Sequence, residues 1–102
     1  MITEKALKDA VDRIVENVHP EKIIVFGSCA KSLSHANDLD LFVILESPDP
    51  PHERITRIRK ALRPHHIPID ILAYTPDEVA VFQNARGTFV NDVLENGKVL
   101  YG

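Results

Sequence analysis

Phe26-Gly27-Ser28-Cys29-Ala30-Lys31-Ser32-Leu33-Ser34-His35-Ala36-Asn37-Asp38-Leu39-Asp40-Leu41 is the stretch on which the fold and the chemistry turn. It starts where a short apolar run, Ile23 to Phe26, ends in glycine. It finishes inside a second apolar run that continues through Phe42, Val43, Ile44 and Leu45. Continuous apolar runs of this length, bounded by turn residues, are the pattern of strands covered on both faces. Gly27 and Ser28 sit directly after the first strand, where a helix can begin. Free backbone amides and a hydroxyl there form an anion site, and glycine lets a phosphate approach the backbone closely. Taken alone, the same pair also reads as a tight turn with a serine cap.

Asp38 and Asp40 stand at the mouth of the second, otherwise apolar strand. Side chains alternate across a strand, so residues two apart share a face and these carboxylates come to one spot. Like charges on a core strand cost stability unless something cationic sits between them, and a hard divalent ion with oxygen ligands answers that need. The competing reading makes Asp38 the end of a loop and Asp40 a hydrogen-bond acceptor for a neighbouring helix. Asp70 is a third isolated acid, inside Ile67-Pro68-Ile69-Asp70-Ile71-Leu72. It reads either as an ion-pair partner of Arg63 or Arg86 or, with the other two, as the third acid of a two-metal site for in-line attack on phosphorus.

Working outward, apolar residues from Ala6 to Val18 recur every three or four positions. They predict an amphipathic helix capped by Thr3, with Ile2 and Leu7 spaced as a staple and a stop near His19-Pro20. After the second strand, Asp49 is expected to cap a helix with prolines in its first turn, apolar at Ile55, Ile58, Ala61 and Leu62 and ended by Pro64. Arg54, Arg57, Arg59, Lys60 and Arg63 read as its solvated face. Ile67 to Ala73 form a third strand, which Pro68 assigns to an edge. Thr75-Pro76-Asp77-Glu78 reads as a capping box, and Thr88 as the cap of a last helix stopped by a left-handed Gly97. Val99 and Leu100 are expected to tuck back onto the core. The sum is one domain over residues 1–102, of α/β (α+β) class, with a small mixed sheet of about three to four strands packed with helices.

The 102 residues carry a formal net charge of -3, 44% apolar and 26% charged residues, and a single cysteine, Cys29. One cysteine excludes an internal disulfide and a cysteine-based zinc site. The negative balance argues against direct nucleic acid binding through the overall field. No run approaches the roughly 20 apolar residues that span a bilayer, and the N-terminus lacks an apolar secretory core, so no membrane association and a cytoplasmic location are expected. Cys29 reads as a packing residue, since no histidine is placed to serve as its base. His65-His66 reads as a solvated turn, since no third ligand at zinc spacing accompanies it.

Phe26-Gly27-Ser28, Asp38-Leu39-Asp40-Leu41 and Ile69-Asp70-Ile71-Leu72 together resemble the Gly-Ser, Asp-x-Asp and third-acid motifs of the minimal nucleotidyltransferases of the DNA polymerase beta-like superfamily. The closing stretch from Arg86 to Tyr101 resembles that family's usual ending, so the likeness covers nearly the whole chain. It implies the nucleotidyltransferase fold, with Gly27, Ser28 and Lys31 holding the triphosphate of ATP. Asp38 and Asp40 would bind two magnesium ions, and Asp70 would complete the metal site and activate the attacking hydroxyl. Members often carry Arg-Ala-Arg-Gly after Gly-Ser, where this chain reads Cys29-Ala30-Lys31-Ser32. Stand-alone members resemble the antitoxin half of two-gene modules whose partner is a helical HEPN-domain ribonuclease toxin. By that resemblance AMP passes to a hydroxyl of the partner, in a homo- or hetero-oligomer. The alternative is a non-catalytic antitoxin or nucleotide-binding module that inhibits such a toxin by occlusion; the altered residues after Ser28 favour it and retention of all three acids opposes it.

Overall fold

The computed structural model describes residues 2–32, 38–64, 67–85 and 87–102, apart from the side chains of Ser28 and Cys29. In order along the chain come α1 (Glu4–Val18), β1 (Lys22–Phe26), α2 (Ser28–Lys31), β2 (Leu39–Ile44), α3 (Pro51–Leu62), β3 (Ile69–Tyr74), α4 (Pro76–Phe82), α5 (Phe89–Asn96) and β4 (Lys98–Tyr101). The strands form one sheet in the order β3-β2-β1-β4. β1 runs antiparallel to both β2 and β4, while β2 and β3 are parallel and joined through α3. Pro68, just before β3, cannot donate to a ladder, and β3 is an edge strand as its position implies.

Alternation along the strands divides the core into two layers. Ile23, Val25, Leu39, Leu41, Val43, Ile71 and Ala73 pack with Ala10, Val11 and Ile14 of α1 and Ile58 and Leu62 of α3. Ile24, Phe42 and Ile44 face the other way, onto Val79 of α4 and Val90 and Val93 of α5. Phe42 is fully buried and stacks on Tyr74 with ring centroids 4.9 Å apart. Burial of each such side chain is worth roughly 1.5–3 kcal/mol, so the central strands carry most of the driving force.

Several local signals act as the sequence implies. Thr3 Oγ1 accepts from the Ala6 amide at 3.1 Å, and His19 stops α1 in a left-handed conformation at φ 54°. Thr75 and Glu78 form the full capping box, and Thr88 caps α5 by accepting from the Asn91 amide. Other expectations are corrected. Pro50, not Asp49, occupies the cap position of α3, with no side-chain bond; its carbonyl accepts from Glu53 and Arg54, while the Asp49 carbonyl accepts from Arg54 Nε at 2.9 Å. Gly97 is extended at φ -75°, not left-handed. Its small size matters instead, because a Cβ would lie 2.5 Å from the Val93 carbonyl oxygen and 2.6 Å from Ile24 Cγ2. The tail does not simply tuck back: Lys98–Tyr101 is a fourth strand, in which Leu100 packs on the core and Val99 is exposed.

Arg54 is the largest departure from a solvated basic face. It is 4% exposed, on the same stripe of α3 as Ile58 and Leu62. Its guanidinium donates to Glu78 Oε1 at 2.7 Å, Glu78 Oε2 at 3.1 Å and the Ala73 carbonyl at 2.9 Å. Glu78 Oε1 also accepts from the Thr75 amide at 2.9 Å, so one carboxylate ties α3 to the end of β3 and the start of α4. The Arg54 hydrogen bond, followed by the bond from the Thr75 backbone, holds the Glu78 carboxyl below its ordinary value of 4.5. Stability from this group is therefore present above that value and is lost as pH falls through the lower folded value. Glu78→Ala should cost roughly 1–3 kcal/mol, because it leaves buried donors unpaired. Glu78→Gln keeps the cap and loses the charge, so in urea titrations it should be less stable than wild type at neutral pH. The gap should close as pH falls below 4.5.

Candidate metal and nucleotide site

In the parallel pair, Asp40 of β2 stands directly opposite Asp70 of β3. Adjacent strands lie about 4.8 Å apart and cross-strand partners project to the same face, so the register itself brings these carboxyls together. Asp38 lies immediately before β2, two residues from Asp40, and joins them. One oxygen from each of Asp38, Asp40 and Asp70 lies within 4.8 Å of the others. Asp38 and Asp40 are half-buried and Asp70 is exposed, so the cluster opens to solvent on one side. Among the described residues, no cation lies within ion-pair distance of Asp70. Arg63 is therefore not its partner, and Arg86, like His65 and His66, falls outside the described residues.

Burial raises the Asp40 carboxyl above its ordinary value of 3.8, followed by the charges of Asp38 and Asp70 and a hydrogen bond with Asp70. Every one of these causes penalises the charged form, which is the electrostatic signature of a site short of positive charge. The donor set is all carboxylate oxygen, the chemistry suited to a hard divalent cation such as magnesium rather than to a thiophilic metal. These residues fit such an ion.

β1 delivers the glycine turn to the same place. Phe26 pairs with Asp40 across the antiparallel ladder, and the next residue, Gly27, adopts φ 72°. A Cβ at Gly27 would come within 2.6 Å of Asp40 Oδ2. The left-handed backbone favours glycine, and any side chain there would also have to displace the Asp40 carboxylate, a constraint that a phosphate-binding reading alone does not anticipate. The Ala30 amide bonds to the Gly27 carbonyl as α2 begins, and α2 carries Lys31 exposed at its last turn. The expected role of the Ser28 hydroxyl falls outside the described side chains, as does Cys29, and Leu33 to Asn37 of the loop lie outside the described residues.

On the Gly27 side a cavity of about 910 Å³ is lined by Phe26, Gly27, Lys31, Phe89, Asp92 and Asn96, among others. The α5 residues in it were not singled out from the sequence; the signal available was Phe89, an aromatic at the first position of an eight-residue helix that leaves it 48% exposed. A more apolar cavity of about 380 Å³ lies on the opposite face, against Leu39 and Ile69. Neither cavity is lined by the three acids; the smaller lies away from the Gly27 turn, and its Arg13 is engaged by the Leu62 and Pro64 carbonyls and by Asp9.

The four-stranded mixed sheet, helices on both faces and acids at the start of the parallel pair are the architecture of a nucleotidyltransferase fold. Residues 8–102 match the family described as polymerase beta, nucleotidyltransferase, and the chain belongs to that family. No curated protein and no solved structure matches the chain. No helix among the described residues is long and apolar enough to cross a membrane.

The charge excess at Asp40 gives a direct test. Its raised pKa means the folded state holds that proton more tightly, so folding is favoured at low pH and loses stability as pH rises through the folded value. In chelator, Asp40→Asn should melt a few degrees above wild type at neutral pH, and the difference should shrink toward pH 3.8. Differential scanning calorimetry on both proteins measures it.

Proposed function

We propose that this chain is a magnesium-dependent nucleotidyltransferase that moves AMP from ATP to a hydroxyl of a protein partner. The observation that carries the proposal is the convergence of Asp38, Asp40 and Asp70 beside the Gly27 turn in a chain of this family. Asp38, Asp40 and Asp70 would hold magnesium, which would neutralise the triphosphate and the departing pyrophosphate. The turn at Gly27 and Ser28, with Lys31 at the end of α2, holds the triphosphate in line. The acceptor oxygen attacks the α-phosphorus, the bond to the bridging oxygen breaks, and pyrophosphate leaves. The Asp70 carboxylate, exposed on the open side, takes the hydroxyl proton.

The open, solvent-facing side of the cluster at Asp70 supports an acceptor supplied by another molecule. Resemblance to the antitoxin half of two-gene modules supports a helical HEPN-type ribonuclease as that partner, its tyrosine hydroxyl receiving AMP and its activity silenced.

Purified protein, ATP labelled at the α-phosphate, magnesium and the helical protein that co-purifies from native cells should transfer label to that protein. Chelation should stop transfer, and Asp38→Asn or Asp40→Asn should each lower the rate by about a hundredfold or more, the scale of losing an electrostatic catalyst. Unchanged transfer by both variants overturns the mechanism; binding and silencing without transfer identifies an occluding antitoxin instead.

The residues after Ser28 give a second expectation. The planar guanidinium meets phosphate oxygens in pairs where an ammonium meets them singly, and glycine frees the backbone to turn toward the phosphates. Lys31→Arg combined with Ser32→Gly should tighten magnesium-ATP binding by about 1 kcal/mol in calorimetry.

A further inference from the structure

The cavity between α2 and α5 has a construction that the metal and phosphate chemistry does not use. Its volume of about 910 Å³ is at the upper end of small-molecule sites. Gly27 lines it, and a Cβ there would come within 2.6 Å of Asp40 Oδ2, so one edge of the cavity borders the acid cluster. Phe89 meets Phe26 edge-to-face, ring centroids 5.4 Å apart and planes at 83°, yet remains 48% exposed. An aromatic ring held in orientation by a neighbour and left half open to a cavity is a preformed stacking surface. One turn further along α5, Asn96 Nδ2 donates to Asp92 Oδ1 at 2.8 Å. That bond orients the Asp92 carboxylate and leaves its second oxygen, and the Asn96 carbonyl oxygen, as acceptors. A wall of acceptors selects a ligand that brings hydroxyl or amino donors. Lys31 on the other wall places positive charge beside the Gly27 turn.

We propose that this cavity is the nucleoside subsite, in which the base stacks on Phe89 and the sugar hydroxyls donate to Asp92, oriented by Asn96. The proposal rests on the nucleotidyltransferase reading above and adds to it the groups that recognise the nucleoside rather than the phosphates. Donation from a ribose hydroxyl to a carboxylate supplied by a different element from the phosphate-binding turn is the solution dinucleotide-binding sites use.

The test separates the two readings by ligand. Full-length protein is titrated calorimetrically with the magnesium complexes of ATP, inorganic tripolyphosphate and 2′,3′-dideoxy-ATP. Wild type should bind ATP more tightly than either of the other two. Phe89→Ala should weaken ATP by about tenfold, within the range found for losing one aromatic stack, and leave tripolyphosphate unchanged. Phe89→Tyr, which keeps the ring, should retain ATP affinity. Asp92→Ala should abolish the preference for ATP over the dideoxy nucleotide, an independent readout should Phe89→Ala prove unstable. Equal affinity of wild type for ATP and tripolyphosphate, or equal weakening of both by Phe89→Ala, overturns the nucleoside subsite while leaving the metal and phosphate site standing. Binding of neither ligand overturns the nucleotidyltransferase reading and the subsite together.

Discussion

The parallel pairing of β2 with β3 is the constraint on which the rest of the molecule depends. Parallel strands cannot be joined by a tight turn, so α3 is obligatory as the crossover, and its apolar stripe must cover the sheet it spans. The same pairing sets Asp40 opposite Asp70. A slip of one residue would turn one of these acids to the α1 and α3 layer, where Leu39 and Leu41 are fully buried and no water could solvate it. The register that buries the leucines and the register that gathers the acids are one and the same.

Two arginines hold that register from the α3 side. Arg59 donates to the Ile69 carbonyl at 3.0 Å, at the start of β3, and Arg54 donates to the Ala73 carbonyl near its end. Both satisfy strand carbonyls on an edge that, among the described residues, has no further strand to pair with. Arg54 is the more demanding case, because a buried guanidinium is tolerable only when nearly all its donors are met. They are met by Glu78, Ala73 and Asp49, which draws the α4 cap and the β2–α3 loop into one network. The charge at one end of the β2–β3 pair is thus fully compensated, while the charge at the other end, at Asp38, Asp40 and Asp70, is not.

That asymmetry explains what the sequence disclosed and what it withheld. The acids were legible because an aspartate inside Leu39 to Leu45 or Ile69 to Leu72 breaks an otherwise apolar pattern, and period-two alternation places it without knowledge of the neighbours. Strand and helix order, the Thr75 box and the edge position implied by Pro68 were likewise local signals. Arg54 was misread because five basic residues within ten positions look like a solvated face, although its spacing of four from Ile58 and eight from Leu62 put it on the buried stripe. Gly97 was misread for a related reason: besides the local Val93 carbonyl, what excludes a side chain there is Ile24 of β1, a contact between distant parts of the chain. β4 is four residues long, too short for periodicity to register, and the subsite residues Phe89 and Asp92 acquire meaning only once α5 packs beside Gly27.

The uncompensated end also bears on how this domain balances stability against chemistry. Gly27 accepts a positive φ so that β1 can close against Asp40, and that closeness deepens the burial that already raises Asp40. A larger residue at 27 would have to displace the Asp40 carboxylate and would leave the three acids without a cation. The repulsion follows from the register that gathers the three carboxylates, and removing one of their charges relaxes it. Such a site is stabilised by whatever brings positive charge to it and destabilised by its removal, so ligand binding and folding stability are linked through the same three oxygens. The Arg54 network ties α3 and α4 to the far end of the strand pair, while the near end, at the three acids, stays polar and partly solvated.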